Sequence, residues 1–467
     1  MIMTRLLLLI LVSIFITNSS FAQSMSWKKH RNLADELFQK RNYAEAAKNY
    51  AAAYKLKDSN KELIYKAGEC FYLVRDFKNA AASYKKIKDE NKLFQLVGLK
   101  YARCLKQDGQ YDAASREFVY FLNNYDAPNK VVIEEIVQKE LAGCELGIKE
   151  KELATNSKLT IEHLDRNVNS SNPEFAPIPF SDGILYFSSM RKGKAKIFRS
   201  QLQDGEWGRA TLPRGFKSLE DQHFCNGSFS PDTKSFYFTI CEQGEAWGGL
   251  TSTCAIYNTS RKGSSWTTPE KLPDFVNALD ATTTQPYVLH KDGKEIIYFS
   301  SNRKGGNGGM DIWYTERRLS DGKMEFSFPI NLGTEINTSG DDITPFYDPT
   351  SEILYFSSNG HVSMGGYDIY KSVGAKDVWT TVQNMGMPIN SAADDNYYTK
   401  IIGTEEGYLV SNRSFGADKL ATTEEDIFAF STPEEKMVVK GKIMNESGVA
   451  AVNGVTIALY ELSLIHI

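Results

Sequence analysis

Five short stretches between Asn172 and Ser431 alternate aromatic or aliphatic residues with small polar ones, and each is bounded by Gly, Asn or Asp. Such alternation predicts strands with one buried face. The fullest copies are Ile297-Tyr298-Phe299-Ser300-Ser301-Asn302-Arg303, followed by Asp311-Ile312-Trp313, and Leu354-Tyr355-Phe356-Ser357-Ser358-Asn359, followed by Asp368-Ile369-Tyr370. Shorter copies are Leu185–Ser189, Phe236–Thr239, and Tyr408–Arg413 followed by Asp426-Ile427-Phe428. The aligned tyrosines, 186, 237, 298, 355 and 408, are 51, 61, 57 and 53 residues apart. Repetition at roughly 40–60 residues predicts propeller blades, each a small antiparallel sheet.

A second spacing sets the blade count. An apolar residue followed five positions later by Asn ends most blades: Leu272/Asn277, Leu332/Asn337 and Met385/Asn390. Leu212 has Lys217 at the matching place, and one more copy, Leu164/Asn169, precedes the first blade. After the third strand at Asp426–Phe430 the chain leaves through Pro433 with no fourth strand. Leu159–Leu164 is therefore expected to complete the last blade and remove the open edges. The expectation is an all-β five-bladed propeller over residues 158–431.

Upstream the period changes to 34. Ala34, Gly68 and Ala102 share a phase, as do Tyr43, Phe77 and Tyr111; Ala46, Ala80 and Ala114; and Tyr50, Tyr84 and Phe118. Small residues let two helices approach closely and the aromatics fill the space beside them, with Asn42, Asp76 and Gly109-Gln110 at the turns. This is the tetratricopeptide pattern, in repeats Trp27–Asn60, Lys61–Phe94 and Gln95–Pro128. The Trp usual near the start of each repeat is absent, being His30, Ile64 and Gly98. Asn129 to Glu150 reads as a further helix that caps the stack. The fold class expected is thus multidomain: an all-α tetratricopeptide solenoid over residues 27–154, then the propeller, with the start of a β-sandwich after it.

The N-terminus changes the compartment. Arg5, the apolar run Leu6–Ile16 and Ser20-Phe21-Ala22 form a signal peptide over residues 1–22, with a mature start at Gln23. No Cys stands at the cleavage point, and no other stretch is apolar and long enough to span a bilayer. Net charge is −4, with no bias that suggests nucleic acid, but residues 23–150 carry 23 Lys/Arg against 18 Asp/Glu, so a mildly basic module precedes an acidic one. Six cysteines in an exported chain invite disulfide arithmetic. Cys241 and Cys254 flank the loop between the second and third strands of one blade and are a candidate disulfide, with the unbridged pair as the alternative. Cys70 and Cys104, 34 apart, are expected to be buried free thiols.

Candidate chemistry is sparse. Asp311 follows Gly305-Gly306-Asn307-Gly308-Gly309 and Asp368 follows Gly365-Gly366, but one Asp per blade, replaced by Lys196 and Ala255 in two blades, does not make a calcium site. A turn capped by Asp, with Gly supplying positive φ, is the structural reading. The pairs Asp341-Asp342 and Asp394-Asp395 recur at equivalent blade starts, which argues for turns over acid/base partners. Trp207, Trp266 and Trp379 open fourth strands as packing residues. No Gly-x-Ser-x-Gly, His-Glu-x-x-His or phosphate-binding Gly-Lys-Ser/Thr occurs, so the expectation is no catalytic residue, no cofactor, no metal and no enzyme.

Phe-Ser-Pro-Asp at 229–232 and Tyr-Phe-Ser-Ser-Asn-Arg at 298–303 resemble the WD-like, TolB-type repeats of exported bacterial propellers. The order signal peptide, tetratricopeptide stack, propeller resembles the Bacteroidetes OmpA-family multidomain proteins, one branch of which is the PorE-like component of type IX secretion. Those proteins continue into a carboxypeptidase-regulatory-like β-domain, and residues 437–460 resemble its first two strands. Leu462–Ile467 reads as the translation of a sequencing adapter, so the chain reads as C-terminally truncated. The resemblance implies a non-catalytic periplasmic scaffold, associated with the outer membrane, that binds barrel or secretion-system proteins, and it places peptidoglycan binding in a missing OmpA-like domain. The alternative is a glycan or small-ligand binding protein that uses the propeller funnel, with Trp247 and Tyr367 as loop aromatics; a hydrolase is the third reading.

Overall fold

The computed structural model describes residues 25–432 except 182, 214–221, 247–248, 320–324, 377 and 420–421. The expected signal peptide, the β-domain start at 437–460, the ending at 462–467, and the positions Lys217 and Trp247 lie outside the described residues. Among those described, no helix is long and apolar enough to cross a membrane.

Seven helices come first: α1 Trp27–Gln39, α2 Tyr43–Leu56, α3 Lys61–Leu73, α4 Phe77–Tyr84, α5 Val97–Gln107, α6 Tyr111–Asn124 and α7 Lys130–Ala154. Each packs against the next in chain order. The 34-residue phases become one core, with Ala34, Ala46, Ala80, Ala102 and Ala114 fully buried. Gly68 has no room for a side chain, since a Cβ would lie 2.6 Å from the Tyr84 ring. The ring it faces is fixed from both ends: the Tyr84 hydroxyl donates to Glu69, as the Tyr50 hydroxyl donates to Asp35 one repeat earlier, both at 2.6 Å. Asn42 and Asp76 cap α2 and α4, accepting from the backbone N–H of Glu45 and Asn79.

The final helix does more than cap the stack. One face of α7 buries Ile133 and Val137 against the helices. At Gly143 its backbone abuts the propeller, where a Cβ would strike the Ser363 carbonyl, and Glu150 accepts from the Met387 N–H. A polar outer face is needed only where a stack ends in water; here the propeller takes that place.

The propeller has five sheets: β2 Glu174–Phe180 to β5 Glu206–Trp207; β6 His223–Phe229 to β10 Glu270–Lys271; β11 Thr283–Lys291 to β14 Ile330–Asn331; β15 Asp342–Asp348 to β19 Gln383–Asn384; and β20 Asp395–Lys400 to β22 Asp426–Ser431. The last contains three strands from the C-terminal end and β1, Thr160–His163, which pairs antiparallel with β22 from Thr160/Ser431 to His163/Phe428. Closure therefore joins the first strand to the last. In the second sheet Cys241 and Cys254 are directly opposed across β7 (Ser235–Ala246) and β8 (Gly249–Lys262) and are bonded to each other, while Cys70, Cys104, Cys144 and Cys225 are buried free thiols.

The Asn of the Leu-Asn spacing has one task throughout. Asn277, Asn337 and Asn390 accept from the backbone N–H of Ile256, Ile312 and Ile369 and donate back to the same residues' carbonyls, with heavy atoms 2.7–3.1 Å apart. Each side-chain amide thus pairs the third strand as a fourth strand would. Asn169 does the same to Ile427, accepting at 2.9 Å and donating at 3.0 Å, across 258 residues of chain. Arginines add a second clasp: Arg191, Arg303 and Arg413 donate to the carbonyls of Val168, Val276 and Ile389, and His361 replaces them at Ile336.

Replacing Asn169 by Ala leaves the N–H and C=O of Ile427 and the carbonyl of Leu164 buried without this partner. The expected cost is about 3 kcal/mol, read as a lower urea midpoint for the propeller transition.

Candidate functional site

Each innermost strand carries a bulge, and all five bulges sit at the propeller axis. The register shifts lie between Phe175 and Ile178, Cys225 and Ser228, Thr284 and Tyr287, Ile343 and Phe346, and Asn396 and Thr399. Inside each shift one residue has positive φ: Ala176, Asn226, Gln285, Thr344 and Tyr397, all between 51° and 56°. Non-glycine residues in that region cost roughly 1 kcal/mol each. Five repeats of that cost re-aim one side chain per blade toward the axis, as bulges do.

Four of these side chains are neutral hydrogen-bonding groups. The Tyr397 hydroxyl donates to Asn226 Oδ1 at 3.0 Å and accepts from Gln285 Nε2 at 3.1 Å. Gln285 Oε1 accepts the Thr344 N–H, and Asn226 Nδ2 donates to Thr284. They surround a cavity of about 60 Å³, walled also by Pro177, Pro286, Pro345 and Tyr287. Burial pushes the Tyr397 hydroxyl far above its ordinary pKa, so it stays a donor. The space admits a group no larger than a hydroxyl or hydroxymethyl.

The larger cavity, about 550 Å³, lies where the helices meet the propeller. Arg75, Arg103, Lys106, Lys139 and Glu140 face it from the helical side, and Asn359, Ser363, Tyr367 and Asp394 from the propeller. Arg75 pairs with Asp394. Glu140 holds Arg103 Nε and Lys106 Nζ, both at 2.7 Å. Burial alone would raise the Glu140 pKa, but the pull of Lys106 and then Arg103 overrides it and brings it down to about 2.

The sequence-singled carboxylates take structural places. Asp311 accepts the N–H of Asn307 and Gly308, and Asp368 those of Met364 and Gly365. Of the glycines at 305–309 only Gly305 has positive φ. Gly306 is required for close approach, because a Cβ there would meet the Asp311 carboxylate. Burial raises the pKa of Asp368 to about 7. Asp342 and Asp395 accept from the N–H and hydroxyl of Thr338 and Ser391. Asp341 and Asp394 tie the same strand to the preceding blade by accepting the N–H of Met310 and Tyr367. Each propeller histidine is engaged away from the axis: His163 with Asp426, His223 with the Ala195 N–H, His290 with Glu295 and His361 with the Ile336 carbonyl. No group of three or more His, Cys, Asp or Glu is placed to hold a metal among the described residues.

The axial residues were not singled out in the sequence, although a signal for them exists. Three inner strands contain Pro in mid-strand, Ala176-Pro177, Gln285-Pro286 and Thr344-Pro345, and Pro inside a strand marks a bulge. Cys241 and Cys254 lie in the second blade, and neither they nor Tyr367 lines the axial cavity. Tyr367 faces the cavity between the modules instead.

No family model matches the chain, and no curated protein matches it in sequence. Among solved structures, the α-L-arabinofuranosidase of Podospora anserina in complex with cellotriose is similar over 58% of this chain and 95% of its own, at 12% identity and a TM-score of 0.38. The α-L-arabinofuranosidase of Lactobacillus brevis is similar over 62% and 95%, at 14% identity and 0.35. The levansucrase of Bacillus subtilis, in complex with oligosaccharides, is similar over 59% and 88%, at 14% identity and 0.35. Likeness at this level does not transfer an activity. It does correct the expectation of a non-catalytic scaffold and of no enzyme. That expectation rested on the order of the modules and on the absence of hydrolase and phosphate-binding sequence motifs, whereas the similar structures named here are two arabinofuranosidases and a levansucrase. The alternative, a propeller that takes up a glycan or small ligand, is the reading carried forward.

The Glu140 carboxylate, held low by two cations, contributes stability that is fully present above about pH 4.5 and lost as pH falls toward 2. Glu140→Gln is expected to cost on the order of 3 kcal/mol at pH 7 and progressively less below pH 4. Urea titrations of both proteins at pH 7, 4 and 3 measure the convergence.

Proposed function

We propose that the chain is a binding protein for a glycan or a similar hydroxyl-rich small ligand, held at the axial mouth of the propeller. The observation that carries this is the ring of bulged residues. Asn226, Gln285, Thr344 and Tyr397 converge neutral donors and acceptors on one point, at a repeated backbone cost. Side-chain amides and hydroxyls match the donor and acceptor character of sugar hydroxyls. Tyr397, Tyr287 and Phe346 add aromatic surface against which the apolar face of a ring packs. A small number of placed polar groups within an apolar wall is the general form of a ligand site.

The same reading includes export and a tetratricopeptide character for the helices. The charged start and apolar run at residues 5–16 support the first, and the 34-residue phases of buried small residues support the second. A protein outside the cytoplasm meets cell-surface and environmental glycans, which suits the site.

The test is a glycan array that includes muropeptides, followed by calorimetry on any hit. The chain is expected to bind a defined set. Asn226→Ala and Tyr397→Phe should each weaken binding roughly tenfold or more while circular dichroism stays unchanged. An empty array, or a hit that both variants bind as tightly as the parent, contradicts the proposal.

A further inference from the structure

We infer that the cleft between the helices and the propeller is a second binding site, which takes a small organic acid with an apolar body. The inference is independent of the axial site. At about 550 Å³ the cleft has the size of an ordinary ligand pocket and lies at a module boundary, a common place for one.

One of its cations, Lys139, is without an ion pair among the described residues. Arg103, Lys106 and Lys139 share one carboxylate from their own side, Glu140, and both oxygens of Glu140 are already used by the first two. Lys139 donates to the carbonyls of Asn359 and Gly360, which take two of its three hydrogens but supply no counter-charge. Among the described residues it has no carboxylate within ion-pair distance. Asp394, the other carboxylate on the wall, is engaged by Arg75 and by the Tyr367 N–H. Further acids stand behind the wall: Asp341 accepts from the Tyr367 hydroxyl and the Met310 N–H, Glu425 lies 3.8 Å from Arg75, Asp342 is near enough for its charge to act on Lys139, and Asp368 lies near Lys106. None of them is within ion-pair distance of Lys139. A part-buried ammonium beside two further cations is costly without an anion. A ligand carboxylate placed between Lys139 and the outer nitrogens of Arg103 would form charge-assisted bonds to both.

The remaining walls define the body of the ligand. Tyr72, Leu73, Phe77 and Ile136 give an apolar side. Gln107 also lines the cleft. An inorganic anion would use the cations but leave the apolar wall wet, so an organic acid is the better fit.

Calorimetry on the full chain with 3-phenylpropionate, its neutral amide 3-phenylpropanamide, and inorganic phosphate tests the assignment. The carboxylate should bind one to one, and the amide and phosphate at least roughly tenfold more weakly. Lys139→Met should weaken the carboxylate by a similar factor. Leu73→Asp, at a position 54% exposed on the cleft wall, should do so by repulsion without disturbing the core. Asn226→Ala at the axis should leave it unchanged, which separates this site from the axial one. Equal binding of the amide, preferential binding of phosphate, no binding of the carboxylate, or carboxylate binding unaffected by both cleft variants would overturn the inference.

Discussion

The structure depends on one repeated interaction, the side-chain amide of an Asn clasping the backbone of the third strand of a blade. In three blades the clasp is local, spanning 21 or 25 residues. In the last blade it spans 258, from Asn169 to Ile427. That long clasp, with β1 beside β22, turns an open row of sheets into a ring and covers the edge that β22 would otherwise leave unpaired. The loop-closure entropy of so long a connection grows only slowly with length, so a few buried hydrogen bonds and one strand of pairing can offset it.

Closure has two consequences for the candidate sites. It brings five bulges to one axis, although Ala176 and Tyr397 stand more than two hundred positions apart in sequence. It also fixes where the helices sit, because β1 follows α7 after a short connection. From there α7 reaches the turns at 359–363 and 386–387, and Arg75 reaches Asp394. The basic helical module and the acidic propeller meet there, and Lys139 faces the cleft without an ion pair among the described residues.

What was legible in the sequence was local or strictly periodic. The tyrosine strands, the Leu-Asn spacing and the 34-residue phases of Ala34, Gly68 and Ala102 each report burial set by near neighbours. The leading Leu164/Asn169 copy made the closing strand readable as well, since it repeats a pattern whose partner was missing at the other end. The axial ring was harder to see. Its residues differ in type, Ala, Asn, Gln, Thr and Tyr, and share only a backbone conformation, so no residue pattern announces them beyond the prolines at 177, 286 and 345. The contact of α7 with the propeller has no signal in the sequence for a related reason: Gly143 permits a close approach but does not say what approaches. The scaffold reading failed at another level, since it passed from architecture to function, and one architecture serves both binding and catalysis.

Hydrogen exchange at the amide of Ile427 tests the central claim most directly. Its counterparts are the amides of Ile256, Ile312 and Ile369, held by an Asn within their own blades. Exchange of Ile427 as slow as those three is the result the account predicts. Exchange faster by orders of magnitude, as at a frayed terminal edge, would mean that the ring is not closed by its first strand and that neither site is assembled as described.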